Sequence, residues 1–536
     1  MHRSLQLSHG TEEVKANLVS AFEQSLDRLL EEAERDSSTR ELEESIWDII
    51  LDAGRQIMSL ALSLRCRQVT EQDIKARNLS PDQLRLRNDA DYWITLMTTF
   101  GPVEFFSFAY RDLSSEAMGV TRTPAREQVF PLHKHCRSSE LCLEWETKLG
   151  QEMPFRRAQQ TMSLFTHGAV SLEDTTIERH MLIISRLIER KWLYQSPEVI
   201  RDTLLHRATR DLKTGKPLLY LSSDAHAIRR FVDETWDARW KMANGLRLWC
   251  MDRQTGRIIH LGGEYTWGDC HRVGEIVDWL IEAGVVPADG DFGVGVVAQI
   301  VVPADGMPWF EKHIINKFSD KTVALLDPHH VFEHLRDYAD ERHGKKSPEA
   351  KAFLRKALRL LLGPRREKKG TPRKARRKAQ QSSDAQQSSD AQLVDSPSVL
   401  TSWKACELAP NPAEVLVEQL MADDDVPEDA LNTHQNLIDY FTKNAYRMNY
   451  PLYRSRGYQL GSGAMESLHR SGSQVRLKLP GFKALQETSQ AIFNLRMLDL
   501  GGRWDEFWQQ ADFYEQLVDV FSTKPDDTEH AQQKAA

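Results

Sequence analysis

The sequence predicts an α+β multidomain protein, and three observations carry that expectation. Between residues 213 and 330, short apolar runs bounded by turn residues alternate with two amphipathic segments, in the order β-β-β-α-β-α-β. On both sides of that block apolar residues recur at helical spacing, so helical regions flank it. The length of 536 residues predicts about three or four units at roughly 100–200 residues each. Apolar residues make up 40% and charged residues 28%, which excludes collagen-like, coiled-coil-only and wholly disordered chains. The 70 Lys+Arg against 78 Asp+Glu give a net −8, a balance that argues on its face against a nucleic-acid partner.

Targeting signals are not expected. Met1 to Lys15 is polar and lacks the apolar core of a signal peptide. The most apolar internal run, Phe292 to Val302, is interrupted by Gln299 and is too short to span a bilayer, so no membrane partner is expected. Six scattered cysteines point to a reducing compartment, hence a cytoplasmic protein, rather than a disulfide framework.

Residues 1–94 read as a helical N-terminal region. Ser38 with Glu41 forms a capping box. The stripe Leu42, Ile46, Ile49, Ile50, Ala53, Ile57, Leu60 and Ala61 that follows predicts one buried helix face. Residues 95–150 differ. Thr99-Phe-Gly-Pro-Val103 starts a hairpin, and His133, His135, Cys136 and Cys142 supply zinc-type ligands. Their spacing departs from that of a zinc ribbon, so a degenerate ribbon is expected and zinc is not. Residues 151–212 suggest a helix–turn–helix. Pro154 starts one helix, Gly168 breaks it, and Ser171 is positioned to cap a second helix carrying Thr175, Thr176, Arg179 and His180, polar and basic groups suited to DNA.

Residues 213–330 hold the strands. Pro217 to Asp224 is an apolar run ending in an acid. Gly245 to Cys250 and Arg257 to Leu261 flank the turn Gln254-Thr-Gly256. A helix covers Asp269 to Ala283, a strand Ala298 to Val302 runs into Pro303-Ala-Asp305-Gly306, a short helix follows, and Thr322 to Asp327 is another buried strand. Three antiparallel strands and then crossovers to two more is the order of a ribonuclease-H-like core. Residues 331–455 return to helix as an all-α insertion interrupted by a disordered linker, 364–397. There Arg365 to Lys378 carries nine Lys/Arg against one Glu, and Gln380-Gln-Ser-Ser-Asp-Ala385 is repeated at once. Residues 456–516 resume as helices, and 517–536 form a tail.

Three acids stand at element ends: Asp224 after the first strand, Asp305 after the fourth, and Glu466 in the first turn of a helix that Ser462 is placed to cap. Two strand-end carboxylates and one helix carboxylate are hard oxygen donors suited to a pair of Mg²⁺ ions acting on a phosphodiester. Two competing motifs are set aside. His330-Val-Phe-Glu333-His334 fits an inverted zinc-peptidase pattern that arises readily by chance. Gly293-Val-Gly-Val-Val-Ala298 fits a dinucleotide fingerprint, but it opens a strand and not a helix.

Four blocks in order, Val302-Pro-Ala-Asp-Gly-Met-Pro-Trp309, Leu325-Leu-Asp-Pro-His-His-Val-Phe-Glu-His-Leu335, Gly461-Ser-Gly-Ala-Met-Glu466 and Asn494-Leu-Arg-Met-Leu498 with Gly502-Arg-Trp-Asp-Glu-Phe-Trp508, resemble bacterial DDE insertion-sequence transposases, closest to the Kra-four group within the Mutator-like set. The resemblance implies Mg²⁺-dependent cleavage at transposon ends and strand transfer into target DNA, with two ions and Mn²⁺ as an alternative. It implies Asp224, Asp305 and Glu466 as catalytic metal ligands, and Asp327 and His330 as accessory groups. It makes Arg470, Arg476 and Lys478 phosphate contacts, with Thr175, Thr176 and Arg179 reading terminal repeats on double-stranded DNA, and it implies a homodimer or larger assembly there. The chain departs from the family at Asp224-Ala-His226, where Asp-Gly is usual; Asp233 or Asp237, both read as helical, are alternatives. Those departures leave two other readings, a catalytically inactive transposase-derived DNA-binding protein and a ribonuclease-H-like nuclease. The linker places about +8 in one short stretch and leaves −16 elsewhere, so the acidic sum does not exclude DNA.

Overall fold

The computed structural model describes residues 11–34, 38–87, 92–114, 119–128, 137–232, 237–306, 308–363, 403–510, 513 and 516–517. It is a mixed α+β chain in two compact units, 1–187 with 505–536, and 188–504. The basic linker, the tail beyond 517, His133, His135, Cys136 and Asp233 fall outside the described residues.

In the first unit, α1 (Thr11–Ala33) packs on α2 (Thr39–Ala76). The capping box forms: Ser38 Oγ accepts the Glu41 N–H at 3.3 Å, and the Glu41 carboxylate accepts the Ser38 N–H at 2.8 Å. The predicted apolar stripe is not the buried one. Ile46, Ile50 and Ile57 are 42%, 46% and 61% exposed, while Leu62 and Cys66 on another face pack against a hairpin. That hairpin joins β2 (Trp93–Thr98) to β3 (Gly101–Phe106) through Gly101, whose φ of 103° a side chain would resist. Strands β1 (Leu84–Arg87), β4 (Ala109–Asp112) and β5 (Thr121–Arg122) form a separate antiparallel sheet.

After the short α3 (Pro124–Gln128), three helices pack on one another: α4 (Glu140–Glu152), α5 (Phe155–Phe165) and α6 (Asp174–Leu187). His167 and Gly168, at φ 49° and 79°, turn the chain between α5 and α6. Ser171 does not cap α6. The helix begins at Asp174, whose carboxylate accepts the Thr175 N–H at 2.8 Å. His180 does not face outward either: it is buried, with Nδ1 2.6 Å from Glu146, and Cys142 lies 3.4 Å from the same carboxylate. Both partners come from α4, a helix that the ribbon-like reading of residues 95–150 does not include.

The second unit opens with α7 (Arg190–Leu193) and α8 (Pro197–His206) and is built on a five-stranded sheet. Its strands are β6 (Leu218–Val232), β7 (Asp237–Met251), β8 (Ile258–Trp267), β9 (Gln299–Ala304) and β10 (Val323–Leu326), in the order β10-β9-β6-β7-β8. The first three strands are antiparallel, and β6, β9 and β10 are parallel. Helix α9 (His271–Glu282) crosses from β8 to β9, and α10 (Pro308–His313) lies between β9 and β10. Leu218–Leu221 and all of β9 are buried on both faces, which is why they read as continuous apolar runs.

The hairpin β6–β7 is longer than the sequence suggested. Asp224 does not end β6, which continues to Val232, and Asp237 is in β7 rather than in a helix. Charged and small residues at 225–232 hid the strand, since only one face of that stretch is covered.

Beyond β10, α11 (Pro328–His343), α12 (Pro348–Leu362) and the helices Pro412–Met421 and Leu431–Asn444 share one core with Leu218, Trp249 and Leu325. Tyr220 stacks on Trp249 at 4.2 Å within it. A second tie lies at the root of β6. The Asp211 carboxylate is fully buried and accepts from Arg456 Nε at 3.0 Å, Tyr458 at 3.2 Å, the Lys213 N–H at 2.9 Å and Thr214 at 2.9 Å, and pairs with Arg456 Nη2. This clamp fixes the chain just ahead of the segment that carries Glu466.

Candidate active site

The site begins where the parallel strands end. Gly306 turns the chain after β9 at φ 90°, and a Cβ there would lie 2.8 Å from Leu326. Asp305, immediately before it, is half-buried. Tyr220 of β6 pairs with Val301 of β9, the last pair between these parallel strands; Asp224 lies four residues beyond Tyr220 within β6, and Asp305 four beyond Val301, one residue past the end of β9. Asp327 joins them: Leu326 pairs with Ala304, and the Asp327 N–H continues the ladder to the Ala304 carbonyl at 2.8 Å.

Asp327 is a structural clasp. Only 4% exposed, it caps α11 by accepting the His329 N–H at 2.7 Å on Oδ1, and it accepts the Ser462 N–H at 2.8 Å on Oδ2. Both oxygens are thus committed to backbone donors. Ser462 does not cap the Glu466 helix with its side chain; its backbone docks that helix onto β10 instead.

The helix runs from Gly463 to Leu468 and continues as a π-helical stretch, His469–Gln474, before a last α-turn, Val475–Leu477. It lies over Asp224. His469 Nε2 is 3.4 Å from Asp224 Oδ2, and His469 Nδ1 is 3.0 Å from the Tyr265 hydroxyl. One strand over, Gly245 pairs with Asp224, and a Cβ there would meet Met465, Tyr265 and His469 at 2.3, 2.8 and 3.2 Å. Only glycine lets the helix approach so closely. Arg247, beside it, donates to the Ala464 carbonyl, and burial lowers its guanidinium to about 10.

Glu466 follows Ser462 by four residues and precedes His469 by three, so these positions share a helix face. The helix therefore carries Glu466 between its contacts with Asp327 and Asp224. The Glu466 side chain is exposed and pairs with Arg470 one turn on. An exposed i,i+4 pair of this kind is worth only about 0.3–0.5 kcal/mol, so Glu466 exchanges partners at little cost.

Electrostatics follow from this packing. Burial raises the Asp224 carboxyl, but the His469 hydrogen bond and charge, the Ala225 N–H and the charge of His330 outweigh it and leave the group below the usual carboxylate value. His226 is buried 4.2 Å from the His469 ring and 2.6 Å from Ser473, and burial together with His469 and Lys478 pushes it down to about 3, so it is neutral. His330 is half-exposed in the first turn of α11, 3.5 Å from Glu333, and its charge reaches Asp224. His334, the other histidine of the zinc-peptidase pattern, lies against the Tyr440 ring at 3.9 Å.

The remaining sequence candidates divide. Arg470 and Lys478 are exposed. Arg476 is 2% exposed, with its guanidinium 5.1 Å over the Phe482 ring, so it does not reach a phosphate. Thr175 and Arg179 are exposed and Thr176 half-buried on α6, in the other unit. Sequence reasoning missed His469, Gly245 and Arg247. Of these only His469 left a signal, the three-residue spacing from Glu466.

Asp224, Asp305 and Glu466 offer hard oxygen donors, the right kind for Mg²⁺. They are not gathered in this conformation: among the described residues no three His, Cys, Asp or Glu side chains are grouped to hold a metal ion. No helix among the described residues is long and apolar enough to cross a membrane. No family model and no curated protein matches the chain. Among solved structures it is similar to the Drosophila P element transposase strand transfer complex, at 15% identity, covering 72% of this chain and 92% of that chain with a TM-score of 0.22. So low a score leaves the two without a common overall superposition, and the functional reading rests on the site itself.

Proposed function

We propose that this chain is a DDE transposase with a ribonuclease-H-like core, of the bacterial insertion-sequence kind. One observation carries the reading: Asp224 lies on β6 and Asp305 just past the end of its parallel neighbour β9, each four residues beyond their last pair, and a helix tied to Asp327 and to Asp224 carries a third carboxylate, Glu466. The strand order β10-β9-β6-β7-β8 supports it, being the arrangement such a core requires.

Asp224, Asp305 and Glu466 would hold Mg²⁺, with Mn²⁺ as an alternative, and the metal would supply Lewis-acid activation of water or of a DNA 3′-hydroxyl. The chain's own residues do the rest. His469 and the Ala225 N–H hold Asp224 ionised at neutral pH. Arg470, released from Glu466, and Lys478 face solvent as phosphate contacts, and Thr175, Thr176 and Arg179 on α6 read the terminal repeats. Two transposon ends held together call for a dimer or larger assembly on DNA.

The test is cleavage of a labelled transposon-end duplex by purified protein with Mg²⁺. Asp305→Asn and Glu466→Gln should abolish cleavage and strand transfer while DNA affinity stays within about threefold, because each removes a ligand charge and little volume. Normal cleavage by either variant overturns the assignment. The pairing of Glu466 with Arg470 and of Asp224 with His469 favours one second reading, a DNA-binding protein without catalysis. A metal-dependent nick by the wild-type chain excludes it, and nicking without joining identifies a nuclease.

A further inference from the structure

The helix pair that opens the first unit leaves one apolar face uncovered. Helices α1 and α2 pack on each other and are joined across residues 34–38, so they run antiparallel. Their seam is the set of half-buried positions Ala21, Ser25 and Leu29 on α1 and Leu42, Ser45 and Ile49 on α2. Leu29 and Leu42, Ser25 and Ser45, and Ala21 and Ile49 stand at matching distances from the turn, as an antiparallel seam requires. Phe22, Leu26 and Leu30 each follow a seam residue by one position, and so do Ile46 and Ile50. One position is about 100° around a helix. The same rotation on two antiparallel helices leads to the same side, so the two sets form one face, with Leu26 level with Ile46 and Phe22 level with Ile50. Ile57 extends that face by two turns along α2.

These six side chains are between 39% and 63% exposed. The positions one residue before the seam form the opposite face, and there every residue is polar and exposed: Ser20, Gln24 and Arg28 on α1, Glu41, Glu44 and Asp48 on α2. Glu43 adds a polar rim at the turn end. Helix α2 is held from other directions, since Trp47 stacks on His167 at 4.5 Å and Leu62 and Cys66 pack against the β2–β3 hairpin. The pair overlaps over the 23 residues of α1, about 35 Å, and two helices side by side are about 20 Å wide. The face therefore measures about 700 Å² per copy, or about 1,400 Å² for two, which is what a stable interface needs. Charge narrows the occupant. Residues 11–52 hold thirteen acids against four bases, so neither DNA nor an anionic lipid surface is drawn to them. A second copy fits, because a two-fold axis in the plane of the face lays apolar stripe on apolar stripe and leaves the polar faces of both copies in water.

We propose that two copies of this chain join through these faces into a four-helix bundle, giving a dimer that forms without DNA. The inference stands on the helix pair alone and not on the carboxylate site. It adds to the DNA-held assembly of the proposed function a contact made before any DNA is bound. The acids give it a sign with salt. Like-charged copies repel at long range, so screening should leave the dimer as strong or make it stronger, whereas binding to phosphates or to a basic partner weakens as salt rises.

The experiment is sedimentation velocity of the full chain without DNA, from about 1 to about 50 μM and at about 0.1 and about 0.5 M salt. Wild type should sediment as two chains of 61.6 kDa each. Leu26→Glu sets a carboxylate in the middle of the face and should weaken dimerisation at least about 30-fold. Ile50→Glu, on the other helix, should do the same. Asp48→Ala, on the opposite face, should change it by less than about twofold. The replaced side chains are exposed, so circular dichroism of the variants should match wild type; if Leu26→Glu loses helicity, Ile50→Glu decides. Asp305→Asn should dimerise as wild type does, which keeps a failed dimer and a failed cleavage assay separate results. Wild type that stays monomeric up to about 50 μM at both salts overturns the proposal. So does an Ile50→Glu dimer within about twofold of wild type, and so does a dimer that dissociates as salt rises, since charge and not the apolar face would then hold it. Wild-type monomer that instead floats with neutral phosphatidylcholine vesicles assigns the face to a lipid surface and overturns the dimer as well.

Discussion

Replacing Asp211 by Asn should destabilise the 188–504 unit by several kcal/mol. The carboxylate is fully buried and accepts five hydrogen bonds, two of them from Arg456, whose side chain is 16% exposed. Asn keeps the shape but removes the charge and turns an N–H₂ toward the guanidinium. Breaking a buried ion pair by removing one partner costs about 3–5 kcal/mol, because the other charge stays desolvated. Unfolding entropy of about 2.1 cal/mol/K per residue over about 300 residues gives about 0.6 kcal/mol/K, so Tm should fall by about 5–8 °C. Differential scanning calorimetry of wild type, Asp211→Asn, Arg456→Gln and the double variant measures it. The same cycle tests the cause: the two losses should overlap by about 2 kcal/mol or more. The sign with pH also follows. Burial raises this carboxyl, but Arg456 and the other donors hold its folded value below the unfolded one. Its contribution is fully present above the unfolded value of about 3.9 and is lost as pH falls through the folded value. The gap between wild type and Asp211→Asn should therefore be flat from neutral pH to about 5 and close in stronger acid. A Tm loss below about 2 °C, or single losses that simply add, refutes the reasoning.

Gly245→Ala places a methyl against Tyr265 and His469 and should lift the Glu466 helix off β7, so that Mg²⁺-dependent cleavage falls by at least about 100-fold while Tm falls by only a few degrees. Equal cleavage by this variant would show that the close approach does not matter. Asp327→Ala removes both the α11 cap and the anchor for Ser462, a loss of about 2–4 kcal/mol to be read as faster hydrogen exchange at 462–468; unchanged exchange there would contradict the clasp. Glu146→Gln should replace the charged acceptor beside His180 with a neutral amide and lower the stability of the α4–α6 helices by about 1–3 kcal/mol, measured by urea denaturation followed by circular dichroism.

The order of strands and helices was legible because fully buried parallel strands must be continuous apolar runs, as in Leu218–Leu221 and Ile300–Val302. Local helix starts were legible where a side chain caps its own backbone, as Ser38 does. What depends on distant partners was not. Two apolar faces run along α2, and which of them meets a hairpin is decided by β2 and β3, not by spacing. The outer half of β6, Ala225-His-Ala-Ile-Arg-Arg-Phe-Val232, mixes small, basic and apolar residues without a clean alternation, so it does not read as strand. The Asp305 and Glu466 positions stood out as acids beside Gly306 and in a first helical turn. His469, by contrast, showed only its three-residue spacing from Glu466 until the sheet set Asp224 and Tyr265 on either side of its ring.

The π-helical stretch His469–Gln474 also sets the phase of everything after it. An α-helix advances about 100° per residue, and a π-bulge adds one residue without adding a turn. In one unbroken α-helix Arg476 would lie about 80° from Glu466 around the axis, close to the solvent side. The extra residue turns it about 100° further, to the opposite side, where it meets Phe482. Glu466 and the residues ten places beyond it therefore occupy independent angular settings. The helix can offer an acid to the sheet edge at one end and close a packed core at the other, two demands that a single helical phase would set against each other.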